Sequence, residues 1–378
     1  MDEPALKSAP PIWREPVRGG PGDPRGLGLS GAKRMQYSVE GRFRPPPIHH
    51  LTGLRPTSSG EGTSGFTMPA TGWLQSPVGV FLGGVLAFLA DAPLGGAIIT
   101  ALPPKVVATT SELSMNYLRP AGPGSGELFG DARLVHAGRS LGLSEVSIRD
   151  SQGRMLAHGS SRCFLITYPV EEMDHIPEPF EPEVFDTPDP YLRPVVGETI
   201  DTATLARYSG VDAMRAFIAG ELPMPPSYYL TGIAPRFASD SSCTWVMPAS
   251  PWMSSPTGML YGGALAWVMD VGLTGAVSLA AAPGDGYALL DMKIHFLRPA
   301  VPDGSDLIVN ASITHRGKTF VVVNGEIMNT AGKRVAVAAG SGMLLPGRMA
   351  ERHEPLEPAD EVSQETLARL RKRSETTT

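Results

Sequence analysis

Two stretches of the chain alternate between apolar and polar residues, and each follows a long apolar run. In the segment from Ala288 to Phe296, every second side chain is apolar, and Asp291, Lys293 and His295 lie between them. Residues 112–117 alternate in the same manner. A period of two with one polar face is typical of an antiparallel strand that is covered on one side. The pattern therefore predicts sheet strands that follow helix-length apolar segments.

The apolar runs at 78–102 and 257–282 each carry one carboxylate near the middle, Asp91 and Asp270. The first run is long enough to imitate a membrane span. However, a charge at mid-bilayer costs about 3 kcal/mol on insertion scales, and Pro93 follows closely. Because an unpaired buried charge is costly, its presence in two apolar helices favours a functional site. We expect two buried core helices and no membrane partner.

One module occurs twice in the chain, without gaps. The recurring landmarks of the first copy are Leu51-Thr52-Gly53, Met68-Pro69-Ala70, Trp73, Ser76-Pro77, Gly83-Gly84, Asp91, Leu118-Arg119-Pro120-Ala121 and His136-Ala137-Gly138-Arg139-Ser140. Their counterparts are Leu230-Thr231-Gly232, Met247-Pro248-Ala249, Trp252, Ser255-Pro256, Gly262-Gly263, Asp270, Leu297-Arg298-Pro299-Ala300 and His315-Arg316-Gly317-Lys318-Thr319. Every pair is separated by 179 positions. A constant separation over this length indicates an internal duplication.

The repeat sets the expected domain organisation. Residues 1–40 are rich in Gly and Pro and predict a disordered tail, and 41–170 form the first repeat. Residues 171–197 have linker composition, 198–347 form the second repeat, and 348–378 form a charged tail. An amphipathic helix is expected at 202–219, with apolar points at Leu205, Tyr208, Met214, Phe217 and Ile218. No comparable helix is expected in the first repeat.

One apolar helix followed by four antiparallel strands predicts a sheet wrapped around that helix. The fold class is therefore α+β, with two antiparallel sheets that each enclose a central helix and are related by an internal pseudo-twofold axis. Exposed sheet edges are usually covered or paired with another strand. The two modules are thus expected to join their edges into one continuous sheet.

The composition excludes several classes of function. A net charge of −6 gives no basic field for nucleic acid. The hydrophobic content of 42% and the charged content of 19% are ordinary for a globular protein. Cys163 and Cys243 cannot form a disulfide framework and lack the spacing of a metal site. Two reduced thiols, no bound metal and a cytoplasmic location are the expectation.

The repeated motifs resemble a known family. Each copy has Gly-Gly-x6-Asp at the start of the apolar helix, a strand ending in Leu-Arg-Pro-Ala, and then His-x-Gly-Arg/Lys-Ser/Thr. This order is similar to that of the phenylacetate-degradation (PaaI-type) hotdog thioesterases. The long-chain acyl-CoA thioesterase II type, also a double hotdog, is the nearest alternative. The resemblance implies hydrolysis of acyl-CoA, with CoA as part of the substrate and no separate cofactor, and further pairing of double hotdogs into homo-oligomers.

The resemblance also implies two composite sites, since the central helices of such modules lie antiparallel. The first would join Gly262 and Ser255 with Asp91 and Thr110. The helix-start amides would bind the oxyanion, and the aspartate would act as base or nucleophile. Thr110, or its neighbour Thr109, would orient water.

The second composite site would join Gly83 and Ser76 with Asp270. Its water-orienting position falls on Leu289 or Ala288, neither of which can form a side-chain hydrogen bond. We therefore expect the Asp91 site to be the more active of the two.

Other features of the sequence bear on activity. The family usually has His before Gly-Gly, where this chain has Leu82 and Tyr261. The hydroxyl of Tyr261 could serve as a donor, whereas Leu82 cannot. Arg139 and Lys318, in predicted turns, are candidate contacts for the CoA phosphates.

Two alternative functions remain open. A non-catalytic acyl-CoA-binding hotdog protein is consistent with the missing histidines. A hydratase or dehydratase is disfavoured because it needs a His near the central helix. Serine or cysteine hydrolysis is disfavoured because neither repeat has a Gly-x-Ser-x-Gly elbow.

Overall fold

The computed structural model describes residues 11–170, 180–181 and 183–349. Its helices are α1 (Gly31–Val39), α2 (Pro47–Thr52), α3 (Gly83–Thr100), α4 (Thr202–Leu205), α5 (Gly210–Ala219), α6 (Pro226–Thr231) and α7 (Gly262–Ser278). Its strands are β1 (Arg55–Gly60), β2 (Thr63–Pro69), β3 (Val106–Tyr117), β4 (Glu127–Ala137), β5 (Leu141–Arg149), β6 (Met155–Thr167), β7 (Ala234–Ala238), β8 (Ser242–Pro248), β9 (Gly286–Phe296), β10 (Asp306–Arg316), β11 (Phe320–Met328) and β12 (Arg334–Leu345). The predicted C-terminal tail lies outside the described residues apart from residues 348 and 349, as does most of 171–182.

All of these strands form one antiparallel sheet, in the order β1-β2-β4-β5-β6-β3-β9-β12-β11-β10-β8-β7. The two modules meet where β3 pairs with β9. In that pairing Ser114 lies opposite Lys293, its own counterpart in the repeat, so the pseudo-twofold axis passes between them. The predicted α+β double hotdog is confirmed, and its two sheets are continuous through this junction.

The central helices α3 and α7 lie side by side inside the sheet. Asp91 and Asp270 are both buried, with 6% and 0% of their surfaces exposed. By length and composition alone α3 could cross a membrane, with a mean hydropathy of 1.5, but 78% of it is buried inside the protein. Both helices are therefore core helices that carry one carboxylate each, as the sequence predicted.

The expectation of a disordered tail over residues 1–40 is wrong for residues 11–40. Helix α1 lies there and packs against α3, with Met35 and Tyr37 buried. The amide of Gly31 donates to Leu102 O at 2.8 Å, and the equivalent Gly210 amide donates to Ala281 O at 3.1 Å. Helix α1 is thus the first repeat's counterpart of α5. The glycine-rich composition of the segment gave no signal for this helix. A helix this short is stabilised mainly by packing against the rest of the protein rather than by its own sequence.

The expected single helix at 202–219 is also wrong, because the segment forms two helices, α4 and α5. Ser209 separates them and caps α5, since its Oγ accepts a hydrogen bond from the Asp212 amide at 3.1 Å. Serine competes well for such positions because its hydroxyl satisfies an amide that has no partner within the helix. Of the apolar residues named for this segment, Leu205 and Met214 are buried, whereas Ile218 is exposed.

The segment before α1 lies across the second repeat. Trp252 Nε1 donates to Glu15 O at 3.0 Å, and Ser250 Oγ donates to Trp13 O at 2.9 Å. Trp73 of the first repeat makes the matching bond to Arg193 O, also at 3.0 Å. Each module is therefore held by a segment that precedes the other module in the chain.

Candidate active site

The close approach of α3 and α7 depends on the second glycine of each Gly-Gly pair. A Cβ on Gly84 would lie 2.8 Å from the Trp267 backbone, and one on Gly263 would lie 2.7 Å from Phe88 O. Both distances are too short for a side chain. The start of each helix thus contacts the middle of the other, which confirms that the two helices run antiparallel.

The first composite site brings Asp91 together with the start of α7. The Gly263 amide donates to Asp91 Oδ2 at 2.9 Å, and the Thr110 hydroxyl donates to Asp91 Oδ1 at 3.0 Å. A Cβ on Gly262 would lie 2.7 Å from Asp91 Oδ2. Asp91, Thr110 and Gly262 therefore lie together, and each Asp91 carboxylate oxygen has a hydrogen-bond donor.

Ser255, the fourth residue expected at this site, has its hydroxyl engaged in a turn. Its Oγ lies 2.9 Å from Thr257 Oγ1 and 3.1 Å from Met259 O. The Ser255 amide also bonds to Met259 O. The structure gives Ser255 a role in shaping the loop before α7, and its contact with substrate stays a prediction.

The second composite site places Asp270 against the start of α3. A Cβ on Gly83 would lie 2.8 Å from Asp270 Oδ2 and 2.5 Å from Tyr117 Cζ. The Thr274 hydroxyl lies 3.4 Å from Asp270 Oδ1. The Gly84 amide and the Tyr117 hydroxyl favour the charged form of Asp270, yet no described residue makes a hydrogen bond of normal geometry to Oδ2.

Tyr117 and Thr274 are site residues that the sequence analysis missed. The family resemblance places the water-orienting residue of this site at Leu289 or Ala288 on β9, whereas the structure supplies hydroxyls from α7 and from the end of β3. The spacing of Asp270 and Thr274, four residues apart on one helix, was a usable signal, because such residues share a helix face. Tyr117 gave no such signal, since it is far from Asp270 in sequence.

Burial dominates the electrostatics of both carboxylates. It raises the pKa of Asp91 to about 6, although the Thr110 hydroxyl and the Gly263 amide partly oppose the shift. Burial likewise raises the pKa of Asp270 to about 6, opposed by the Gly84 amide and by the Tyr117 and Thr274 hydroxyls. A carboxylate with a pKa in this range is ionised at neutral pH and can accept a proton during a reaction.

Two other groups near the first site are not available for chemistry. Burial raises the pKa of the Cys163 thiol to about 12, so this cysteine is protonated at neutral pH. The Tyr261 hydroxyl donates to Phe88 O at 2.8 Å, and its ring packs edge-on against Phe88. Tyr261 therefore ties the start of α7 to α3 and does not offer its hydroxyl to a ligand in this conformation.

A cleft lies beside the second site, between α5 and α7. Its cavity volume is about 70 Å³, and it is partly open to solvent. Ser76, Leu82 and Thr274 are among its lining residues, and the Thr274 hydroxyl lies 3.4 Å from Asp270 Oδ1. The Ser76 hydroxyl is buried and has no hydrogen-bond partner in the described part of the chain. Ser76 thus lines the same cleft as Thr274, and its place in the second site stays a prediction.

The two candidate CoA contacts lie in hairpin turns. Arg139 is exposed between β4 and β5, and Lys318 is exposed between β10 and β11. Both side chains are accessible to a phosphate, and their role stays a prediction. Across residues 11–170, 180–181 and 183–349, no group of three or more His, Cys, Asp or Glu side chains could hold a metal ion.

Comparison with known proteins shows the family to which the chain belongs. The thioesterase superfamily model matches residues 78–157 and 257–336, once in each repeat. A presumed esterase of Deinococcus radiodurans is 30% identical over 137 residues, which cover 36% of this chain and 84% of that protein. The chain belongs to the thioesterase superfamily. A presumed esterase of Halobacterium salinarum is 41% identical over 68 residues, or 18% of this chain, and the match spans less than half of that protein, 43%.

Solved structures share this fold over nearly their whole length. The tesB protein of Mycobacterium avium subspecies paratuberculosis has a TM-score of 0.50 and 14% identity, and the match covers 79% of this chain and 98% of that one. A presumed thioesterase of Novosphingobium aromaticivorans also has a TM-score of 0.50, with 15% identity and coverage of 77% and 98%. At these identities the likeness concerns the fold alone. Membership of the PaaI-type subgroup stays a prediction.

Proposed function

We propose that this protein hydrolyses acyl-CoA thioesters to a carboxylic acid and free CoA. The observation that carries the proposal is the reciprocal placement of a buried carboxylate on each central helix against the amide-rich start of the other. Superfamily membership supports thioester hydrolysis in general. Acyl-CoA as the substrate class rests on the motif resemblance and on the exposed Arg139 and Lys318.

The helix start supplies the electrostatic part of the mechanism. The first amides of an α-helix have no partner within the helix and lie at the positive end of its dipole. A thioester carbonyl placed there would develop its negative charge next to these amides. Because a side chain at Gly83 or Gly262 would reach the carboxylate opposite, glycine leaves room for the carbonyl to approach the backbone.

The carboxylate supplies the proton chemistry. In one route the aspartate takes a proton from water as the water oxygen bonds to the thioester carbon. The tetrahedral intermediate then breaks its C–S bond, and the aspartate returns the proton to the departing thiolate. In the other route the carboxylate attacks the carbon itself, expels the thiolate and forms an anhydride that water then hydrolyses. Both routes use the ionised aspartate and yield the same products.

The proposal is tested by incubating the pure full-length chain with a panel of acyl-CoAs that spans chain length and aromatic content. Release of free thiol is followed with a chromogenic thiol reagent. Thiol release that falls at least a hundredfold in the Asp91→Asn, Asp270→Asn double variant supports it, since proton transfer by a positioned side chain contributes roughly that much or more. Tight binding without thiol release would instead identify a non-catalytic acyl-CoA-binding protein.

Three further expectations belong to this proposal. The chain acts without a metal or added cofactor, so a chelator should leave thiol release unchanged. It acts in the cytoplasm. Its partner there is acyl-CoA, and it binds neither nucleic acid nor membrane. Copies of the double hotdog pair into a homo-oligomer, which light scattering on the purified chain would measure.

A further inference from the structure

The two halves of the molecule differ in one respect that their shared fold conceals. Helix α1 docks on α3 in the same way that α5 docks on α7, with Gly31 and Gly210 at equivalent positions. A Cβ at either glycine would meet a carbonyl oxygen of the central helix, that of Ile99 or that of Ser278. The space between the docked helix and the central helix can therefore be compared position by position.

In the second repeat this space is the cleft between α5 and α7. Ala213 of α5 and Asp285, just before β9, are two of its wall residues. The small Ala213 side chain leaves the cleft open between them. Thr274, whose hydroxyl lies 3.4 Å from Asp270 Oδ1, is another wall residue of the cleft, so this one side chain connects the cleft wall to the carboxylate.

In the first repeat an arginine crosses the equivalent space. Arg34 stands where the second repeat has Ala213, and Val106 stands where it has Asp285. The Arg34 guanidinium donates to Val106 O at 2.7 Å, so the side chain spans the two walls. Arg34 is only 8% exposed, and its Nε has no partner among the residues that the structure describes.

The carboxylates differ in a matching way. Both Asp91 oxygens accept hydrogen bonds from the protein, one from Gly263 and one from Thr110. Asp270 Oδ2 is buried and accepts no hydrogen bond of normal geometry from any described residue. A buried carboxylate oxygen without a donor is costly, and a bound water or substrate group at that position would remove the cost. Asp270 thus carries the carboxylate oxygen that the described residues satisfy less well.

We propose that the composite site of Asp270 and Gly83 is the working site, that the acyl group occupies the cleft between α5 and α7, and that Arg34 blocks the equivalent cleft beside Asp91. This inference rests on the proposed function and gives its chemistry a location. It reverses the ranking expected from Thr110 alone. On this view the Asp91 site is a structural copy that holds the central helices together.

The test compares both halves in the full-length chain with the acyl-CoA panel. Asp270→Asn should lower kcat/KM at least a hundredfold, and Asp91→Asn at most about threefold. The Ala213→Arg variant introduces an arginine into the open cleft, at the position equivalent to Arg34. It should lower kcat/KM at least tenfold. Ile218→Arg is the matched control on the exposed side of α5 and should leave kcat/KM unchanged. Circular dichroism and unfolding curves establish that each variant is folded.

A second readout separates this inference from the proposed function. Titration calorimetry with a non-hydrolysable acyl-CoA analogue should give one bound analogue per chain, and none for the Ala213→Arg variant. A larger loss in Asp91→Asn than in Asp270→Asn would overturn the inference while thioester hydrolysis stands. Two analogues bound per chain would also overturn it. If no acyl-CoA is cleaved but one analogue binds in the cleft, the hydrolase fails and the assignment of the cleft stands.

Discussion

The Gly263 amide, at the start of one central helix, lies 2.9 Å from Asp91 Oδ2 in the middle of the other. This hydrogen bond joins the two repeats through two buried polar groups. The same contact orients the Asp91 carboxylate and holds α3 against α7, so the charge of Asp91 and the packing of the two helices depend on each other. The central helices cannot separate without leaving the carboxylate unpaired.

The two carboxylates make the stability of the protein depend on pH. Burial raises each pKa from 3.8 to about 6, so the folded state binds these protons more tightly than the unfolded state does. The cost of burying the charges is present in full above pH 6 and is relieved as pH falls towards 4. Two units of pKa correspond to about 3 kcal/mol for each group.

We therefore expect the Asp91→Asn, Asp270→Asn double variant to be more stable than the wild type at pH 7.5. The difference in their free energies of unfolding should shrink by about 3 kcal/mol or more at pH 4.5. Denaturant unfolding at both pH values measures this. Asp240→Asn, at an exposed carboxylate, is the control and should track the wild type. An unchanged gap between the two pH values would contradict the expectation.

Removing the hydroxyl of Tyr117 and removing that of Tyr261 should have different effects on the pH–rate profile and on stability. Tyr117 interacts with Asp270 and lowers the pKa of that carboxyl, so Tyr117→Phe should move the midpoint of the pH–rate profile upward. It should change stability little, because the hydroxyl has no hydrogen bond of normal geometry in the described part of the chain. The measurement is kcat/KM from pH 5 to 8, together with denaturant unfolding.

Tyr261→Phe is the matched variant, since Tyr261 donates to Phe88 O at 2.8 Å. Its loss leaves a helix carbonyl without this partner and should lower the free energy of unfolding by about 1 kcal/mol. The midpoint of the pH–rate profile should not move. A shift in that midpoint for Tyr261→Phe alone would show that the roles assigned to the two tyrosines are exchanged.

The contact between the central helices should tolerate no side chain at Gly84. A Cβ there would lie 2.8 Å from Trp267 Cα and O, which are backbone atoms that cannot move aside locally. We expect Gly84→Ala to lower the free energy of unfolding by about 1–3 kcal/mol. Denaturant unfolding gives the value directly.

Gly95→Ala, on the same helix, is the control for that substitution. Nothing lies within 4 Å of a Cβ at Gly95, so alanine should gain its normal helix propensity and stabilise by about 0.5–1 kcal/mol. Opposite signs for the two substitutions are the expected result. Equal effects would mean that the close contact between the central helices at Gly84 does not prevent a side chain there.

The segment before α1 should be required for full stability. Removing residues 1–29 deletes the carbonyl partners of Trp252 Nε1 and Ser250 Oγ, together with the ion pair between Glu15 and Arg193. Each buried polar group left without a partner costs about 1–3 kcal/mol, so thermal unfolding should shift to markedly lower temperature. Removing only residues 1–10 keeps all of these contacts and should leave the unfolding temperature unchanged. Equal unfolding temperatures for both truncations would refute this role.

The sequence alone determined the features that depend on local pattern and on constant spacing. Alternation at 112–117 and 288–296 predicted strands, and two apolar runs with a central aspartate predicted the core helices. The separation of 179 positions indicated the duplication, and the resemblance of the Gly-Gly-x6-Asp motif to hotdog thioesterases implied which residues meet. These signals are readable because helices and strands impose their periods on the residues they bury.

Only the tertiary structure decided the features that join distant parts of the chain. Helix α1 escaped notice because its stability comes from docking on α3 rather than from its own residues. Tyr117 reaches Asp270 only because the β3–β9 junction and the antiparallel helices bring the two repeats together. The difference between Ala213 and Arg34 is a single substitution in the sequence, and it becomes an open cleft on one side and a filled one on the other only when both walls are in place.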